Sequence, residues 1–294
     1  MTCPSLWLGW RPSWRLSWRL LAAMAVCAVL SACADLKGLR DYAKSSQQLA
    51  AGPELVSRWQ QSEQVLQSRQ VLFDAPVAAR RTPQAQALAD AQGKKVQEIQ
   101  RTLAAYFKAV GDLAADELPS LGDETARLGD AWEELDPSFQ AADRQALRSL
   151  GQLLSQPLQA YRHRAVLALV KSQHAAVARL LTRLEALSLL MAQDLQAEAE
   201  AARLPYLQLL GQTPQPALRF LLRQRMAAMQ AAHYEPLQEA WSRHQAALRA
   251  VRQAHERLSE VDELSQLRGH AKVMSEAIQS VHEWQSAWAA VRAR

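Results

Sequence analysis

The chain has 294 residues, with 34 lysines and arginines against 29 aspartates and glutamates, a net charge of +5, and only 10 glycines and 3 cysteines. Alanine, leucine, glutamine, arginine and glutamate dominate, and no run of alternating β-branched residues occurs. This composition excludes a sheet-built domain and predicts an all-helical one.

Residues 1–19 carry Arg11, Arg15 and Arg19 with no acidic residue, and an apolar run from Leu20 to Leu30 is followed by Ser31-Ala32-Cys33. That is the order of an export signal: a basic region, an apolar region and a small-residue cleavage site. Eleven apolar residues fall well short of the roughly 20 needed to cross a bilayer as a helix, so the run reads as a signal and not a permanent span. The quartet Leu30-Ser31-Ala32-Cys33 resembles the lipobox of bacterial lipoproteins. The resemblance implies cleavage between Ala32 and Cys33, a diacylglyceryl thioether on Cys33, and a further acyl chain on its amine. Two or three chains anchor a protein where one holds only marginally. Ala34, where an aspartate would mark retention in the inner membrane, implies an outer-membrane anchor facing the periplasm.

The expected organisation is therefore a signal over residues 1–32 and a single helical domain over 33–294, its sections being 33–82, 83–136 and 137–294. Losing the signal leaves 31 basic against 29 acidic residues, which removes the case for a nucleic-acid partner. What remains is uneven: Cys33 to Asp136 has 12 basic and 16 acidic residues, and Pro137 to Arg294 has 19 and 13. Cys3 and Cys27 leave with the signal and Cys33 takes lipid, so the mature chain is expected to have no thiol for a disulfide or for catalysis.

Asp35 to Ala51 predicts a short helix stopped by Gly52-Pro53, and Glu54 to Phe73 a second with Leu55, Trp59 and Leu66 on one face. A linker is expected at Asp74 to Pro83. From Pro83 to Leu118 an amphipathic helix carries Val96, Ile99, Leu103, Tyr106, Val110 and Leu113 at alternating spacings of three and four, the seam of a coiled-coil-like contact. A polar connection to Asp136 follows, and Pro137 suits the first turn of a helix ending near Pro157.

Pro157 to Arg203 predicts a single helix roughly 70 Å long, with Tyr161, Leu169, Val177, Leu180, Leu184, Leu187 and Met191 inward. Pro205 should kink or end it. A turn at Gly211 to Pro216 then leads to a final helical stretch from Ala217 to Arg292, kinked at Pro236 and open to a break at Gly269. The expected architecture is an elongated helical bundle of two long antiparallel helices with shorter ones packed alongside.

The most suggestive polar pattern is histidine spacing: His163 and His174 are 11 apart, as are His233, His244 and His255. Eleven residues make about three turns, so each set shares a face. One reading is a metal or other ligand held by one histidine from each of several helices, with His174 opposite His233 or His244. The other is hydrogen bonding at the edge of the seam, which the spacing favours, because consecutive members lie about 16 Å apart along an axis. Nine carboxylates between Asp112 and Asp136 against the single Arg127 lack the loop spacing of a calcium site. Arg219, Arg223, Arg225, Arg243, Arg249, Arg252 and Arg257 give the last stretch a basic side suited to lipid headgroups or an acidic partner. Trp284 and Trp288 share a face and are expected in the core.

No serine nucleophile elbow, phosphate-binding loop or dinucleotide fingerprint is present, so the expectation is a protein that is not an enzyme and holds no cofactor beyond the covalent lipid on Cys33. The primary expectation is a membrane-anchored periplasmic scaffold or accessory subunit that meets an envelope protein partner. The second is a module that holds a small ligand, lipid or metal between its helices.

Overall fold

The computed structural model describes residues 36–52, 54–70, 83–115, 145, 149 and 163–293. Ala32, Cys33, the linker from residue 74, the acidic connection from Asp116 and nearly all of the helix expected from Pro137 lie outside them.

The described residues form an all-α bundle. Helix α1 covers residues 36–50; α2 is Glu54–Gln60, α3 is Ser62–Gln70 and α4 is Pro83–Ala114. Helix α5 is His163–Gln212, α6 is Pro216–Met229, α7 is Glu235–Ser259 and α8 is Ala271–Arg292. Among the described residues no helix is long and apolar enough to cross a membrane.

Periodicity explains most of the packing. Every seam position named for α4, from Val96 to Leu113, is buried, and so are Leu169, Val177, Leu180, Leu184, Leu187 and Met191 of α5. Leu237, Trp241, Leu248 and Val251 line the buried face of α7, and Trp284 and Trp288 of α8 join the core. Burying a leucine or valine contributes about 1.5–3 kcal/mol, so the continuous seam supplies the main driving force. Leu55, Trp59 and Leu66 are buried as their spacing required. The expected single helix is nevertheless parted into α2 and α3 at Gln61.

At Pro205 one of the two expected outcomes, an end to the helix, does not occur, and the last stretch is divided more deeply than expected. Pro205 does not end α5, which runs on to Gln212 over 50 residues, or about 75 Å. A proline removes one ladder bond and crowds the preceding turn; here packing outweighs that cost, because Pro205 and Tyr206 are both buried. The Gln230 side-chain amide also donates to the Ala199 carbonyl at 3.2 Å, six residues before the proline. The stretch from Ala217 to Arg292 is interrupted from Glu260 to His270, so that Gly269, where a break was expected, lies near the end of a longer interruption. The chain reverses after Ser259, so α8 returns antiparallel along α7 as a third long arm.

No glycine makes that reversal. Val261 and Leu267, 1% and 0% exposed, plug the end of the bundle. Glu263 and Gln266 form a reciprocal capping box that starts the 3-10 turn Leu264–His270. Gly269 sits inside the turn with open space where a Cβ would be. Pro236, by contrast, acts where expected. It lacks the N–H that would continue the ladder, and a π-turn, Gln230–Tyr234, precedes it, closed by the Glu235 amide donating to the Gln230 carbonyl.

Contacts between helices fix their direction. Helices α5 and α7 are antiparallel, with Lys171 paired to Asp262, His174 against His255 and Ser188 against His244. Helix α1 starts beside the α7–α8 turn, with Gly38 packed on Met274, and runs so that Gly52 meets the Trp284 ring. The bundle thus has one end holding residue 36 and the α7–α8 turn. The α5–α6 hairpin, which turns at residues 213–215, forms the other.

Candidate functional site

The polar groups inside the bundle gather at three levels along α5. The level nearest the α7–α8 turn is built from Tyr42 on α1, Tyr106 and Phe107 on α4, His174 on α5 and His255 on α7. The Tyr42 hydroxyl donates to the Val251 carbonyl at 3.0 Å, and its ring meets Phe107 edge-on. Tyr106 Oη lies 2.8 Å from His255 Nε2, while His255 Nδ1 lies 3.4 Å from His174 Nδ1 across stacked rings.

Burial raises the Tyr106 phenol well above its ordinary range, so the hydroxyl keeps its proton. Burial, with help from His174, lowers the His255 pKa to about 3, so that ring is neutral. A protonated phenol with His255 Nε2 as its neighbour donates to it. The His255 proton is then on Nδ1, facing His174. Tyr106, His255 and His174 thus form a hydrogen-bonded chain from the core to a half-buried ring.

The middle level is simpler. Ser188 Oγ lies 3.1 Å from His244 Nδ1, and the Trp241 indole donates to the Ser188 carbonyl at 2.9 Å. Burial lowers the His244 pKa to about 3. Its Nε2, and Nε1 of Trp284 packed against it, have no hydrogen-bond partner among the described residues.

At the third level a carboxylate is fully enclosed: Glu198 is 0% exposed. Arg58 grips it with two bonds, Nη2 to Oε1 at 2.6 Å and Nη1 to Oε2 at 3.1 Å. The Ser62 hydroxyl donates to Oε2 at 2.5 Å and the Tyr234 hydroxyl to Oε1 at 3.1 Å. Beside this group the Trp59 indole donates to Asp194 at 2.9 Å. A buried carboxylate is tolerated only when its charge is paired and its lone pairs are occupied. Four donated bonds from α2, α3 and the π-turn meet both conditions.

The candidate ligand histidines do not meet. His174 faces His255 rather than His233 or His244; His244 sits against Ser188, 14 residues further along α5 and about 20 Å away. His233 is exposed on the π-turn. Among the described residues no group of three His, Cys, Asp or Glu side chains could hold a metal ion.

The levels at Tyr106–His255 and Glu198 were not named from sequence. Glu198 had a readable signal, since Met191, Leu195, Glu198 and Ala202 follow the seam spacing of four, three and four, putting the carboxylate at an inward position.

Outside the core, a half-open cleft of about 630 Å³ lies at the α7–α8 end, lined in part by Leu167, Lys171, Asp262 and Ser265. Its lysine is paired with Asp262. At the opposite end, residues 214–221 are exposed without interruption, Leu218, Phe220 and Leu221 among them. No protein-family model, curated protein or solved structure shows significant similarity to the chain.

Proposed function

We propose that the chain is a cell-envelope lipoprotein, anchored through lipid on Cys33 and facing the periplasm, most simply from the outer membrane. It works as a non-enzymatic helical scaffold or accessory subunit. The observation that carries this reading is where the bundle begins. Leu36 lies at the α7–α8 end, and three residues of chain hold Cys33 within about 10 Å of it. Lipid on Cys33 would therefore hold one end of the bundle at a membrane and leave the α5–α6 hairpin distant from it.

The interior polar groups support a structural role. The Glu198 carboxylate is fully engaged by Arg58, Ser62 and Tyr234, and His255 by Tyr106 and His174. The test is metabolic labelling with a fatty acid, followed by membrane fractionation. The parent chain should be labelled, processed and membrane-bound, whereas Cys33→Ala should be unlabelled and stalled before cleavage. Equal labelling of the two chains would refute the anchor. Capture of the anchored chain from a membrane extract should return an envelope protein in fixed proportion, and recovery of the chain alone would refute the scaffold.

A further inference from the structure

The residues from 201 to 234 contain Arg203, Arg219, Arg223 and Arg225 and no acidic side chain at all. Arg203 pairs with Glu200. Arg219, Arg223 and Arg225 are exposed and have no carboxylate partner among the described residues. Elsewhere the exposed arginines behave differently: Arg101, Arg243, Arg249, Arg257 and Arg292 each face a glutamate. Unpaired exposed arginine is thus concentrated on α6, in a segment without acidic residues, whereas the exposed Lys37, Lys44 and Lys94 are scattered over α1 and α4.

The same helix exposes its large apolar side chains. Phe220 and Leu221 are 59% and 58% exposed and Leu218 is 42% exposed, while Leu222, Met226 and Met229 turn inward. Helical spacing puts Leu218, Leu221 and Arg225 along one flank and Arg219 and Arg223 along the other, with Phe220 on the outer surface. Exposed phenylalanine and leucine beside unpaired arginine, without acidic residues, is the composition of a segment that lies in a lipid interface. An anionic bilayer offers phosphate to the arginines and acyl chain to Phe220 and Leu221 at once, whichever flank of the helix they occupy.

Position adds to the argument. From Lys171, level with the α7–α8 turn, to Gln212 the helix rises about 60 Å. The hairpin therefore projects from the end of the bundle opposite residue 36.

We propose that the α5–α6 hairpin docks on an anionic phospholipid bilayer through Leu218, Phe220, Leu221, Arg219, Arg223 and Arg225. Combined with the Cys33 anchor proposed above, on which only this second step rests, the molecule would bridge two membrane surfaces about 60 Å apart.

The test uses the full chain carrying Cys33→Ser, so that no acyl chain contributes, floated with vesicles of phosphatidylcholine alone or containing one-third phosphatidylglycerol. The leader is common to every variant, so differences between variants read the hairpin. The parent should bind the anionic vesicles more tightly. Each arginine near such a surface is worth about fivefold, so R219Q/R223Q/R225Q should lose on the order of a hundredfold. F220S/L221S should lose at least about tenfold, and R219K/R223K/R225K should retain binding, because charge and not guanidinium shape is required. Circular dichroism of each variant should match the parent, since all five positions are exposed.

Equal binding by parent and variants would overturn the proposal. So would a parent indifferent to phosphatidylglycerol whose self-association, read by ultracentrifugation, is lost in F220S/L221S; that result would make the hairpin a surface between copies. Fatty-acid labelling of Cys33 is independent of either outcome, so failure of the anchor and failure of the hairpin are told apart.

Discussion

Arg58 and Glu198 show how much one buried residue can demand of its neighbours. The carboxylate is wholly enclosed, whereas the Arg58 side chain keeps 17% of its surface in solvent. Removing the arginine would leave an uncompensated charge in the core, and breaking one partner of such a pair costs about 3–5 kcal/mol. Arg58→Ala should therefore lower the urea midpoint strongly. Tyr234→Phe removes one of four bonds to a charged acceptor and should cost about 1.5–3 kcal/mol.

The histidines give a second prediction at this scale. His244 and His255 titrate near 3 in the folded chain, against about 6.5 when exposed in the unfolded chain. Between those values the unfolded state holds protons that the folded state refuses. Stability should accordingly fall as pH drops below about 6.5, by up to about 1.4 kcal/mol per pH unit for each ring. Urea titrations at stepwise lower pH check the slope, and His244→Gln should remove roughly half of it. A midpoint independent of pH between 6.5 and 4 would contradict the neutral buried rings.

Among the elements, α6 and α7 make an instructive pair, because they are nearly continuous in sequence yet differ in burial. In α7 the buried face runs from Leu237 to Leu258, while in α6 only Met229 is buried. Local opening is easiest where few apolar contacts must be broken. Backbone amides of residues 219–228 should exchange with deuterium orders of magnitude faster than those of residues 244–254. Similar protection in both would mean that the hairpin is covered in solution.

The elements also show what was legible in the chain. Helix α4 could be read position by position, because a three-four apolar spacing has only one compact solution. The turn after Ser259 was read only at its far end, through Gly269; its start has no glycine or proline, and its signals there are the buried Val261 and the Glu263–Gln266 box, neither of which breaks a helical pattern. That Pro205 does not end its helix has the opposite reason. The residue is a strong local breaker that tertiary packing of Pro205 and Tyr206 overrides, and no local rule weighs the two. At the candidate site, His174 and His244 were rightly placed at the seam, but which side chain each faced depended on the offset between α5 and α7. That offset is a property of the assembled pair and cannot be seen in either helix alone.

The whole molecule is long for its mass. Helix α5 alone spans about 75 Å, whereas a compact domain of 294 residues would have a radius of gyration of about 19 Å. Small-angle scattering of the full chain should give a maximum dimension of at least about 75 Å, and a value near 50 Å would mean that α5 folds back in solution.

Length of this kind carries a hazard. Seams made of leucine, alanine and valine look alike every seven residues, so two long helices could slide past each other and still bury an apolar stripe. The polar levels remove that freedom. They stand on α5 at residues 174, 188 and 198, at intervals of 14 and then 10. The first interval is two heptads and the second is not a whole number of them. A slip of one or two heptads would take Glu198 away from Tyr234 and put it against a position that cannot hydrogen-bond it equally well. The unequal intervals work as a vernier, with one offset at which all the marks coincide. Fidelity of alignment over some 75 Å is thereby assigned to a few hydrogen bonds, while the leucines supply the adhesion.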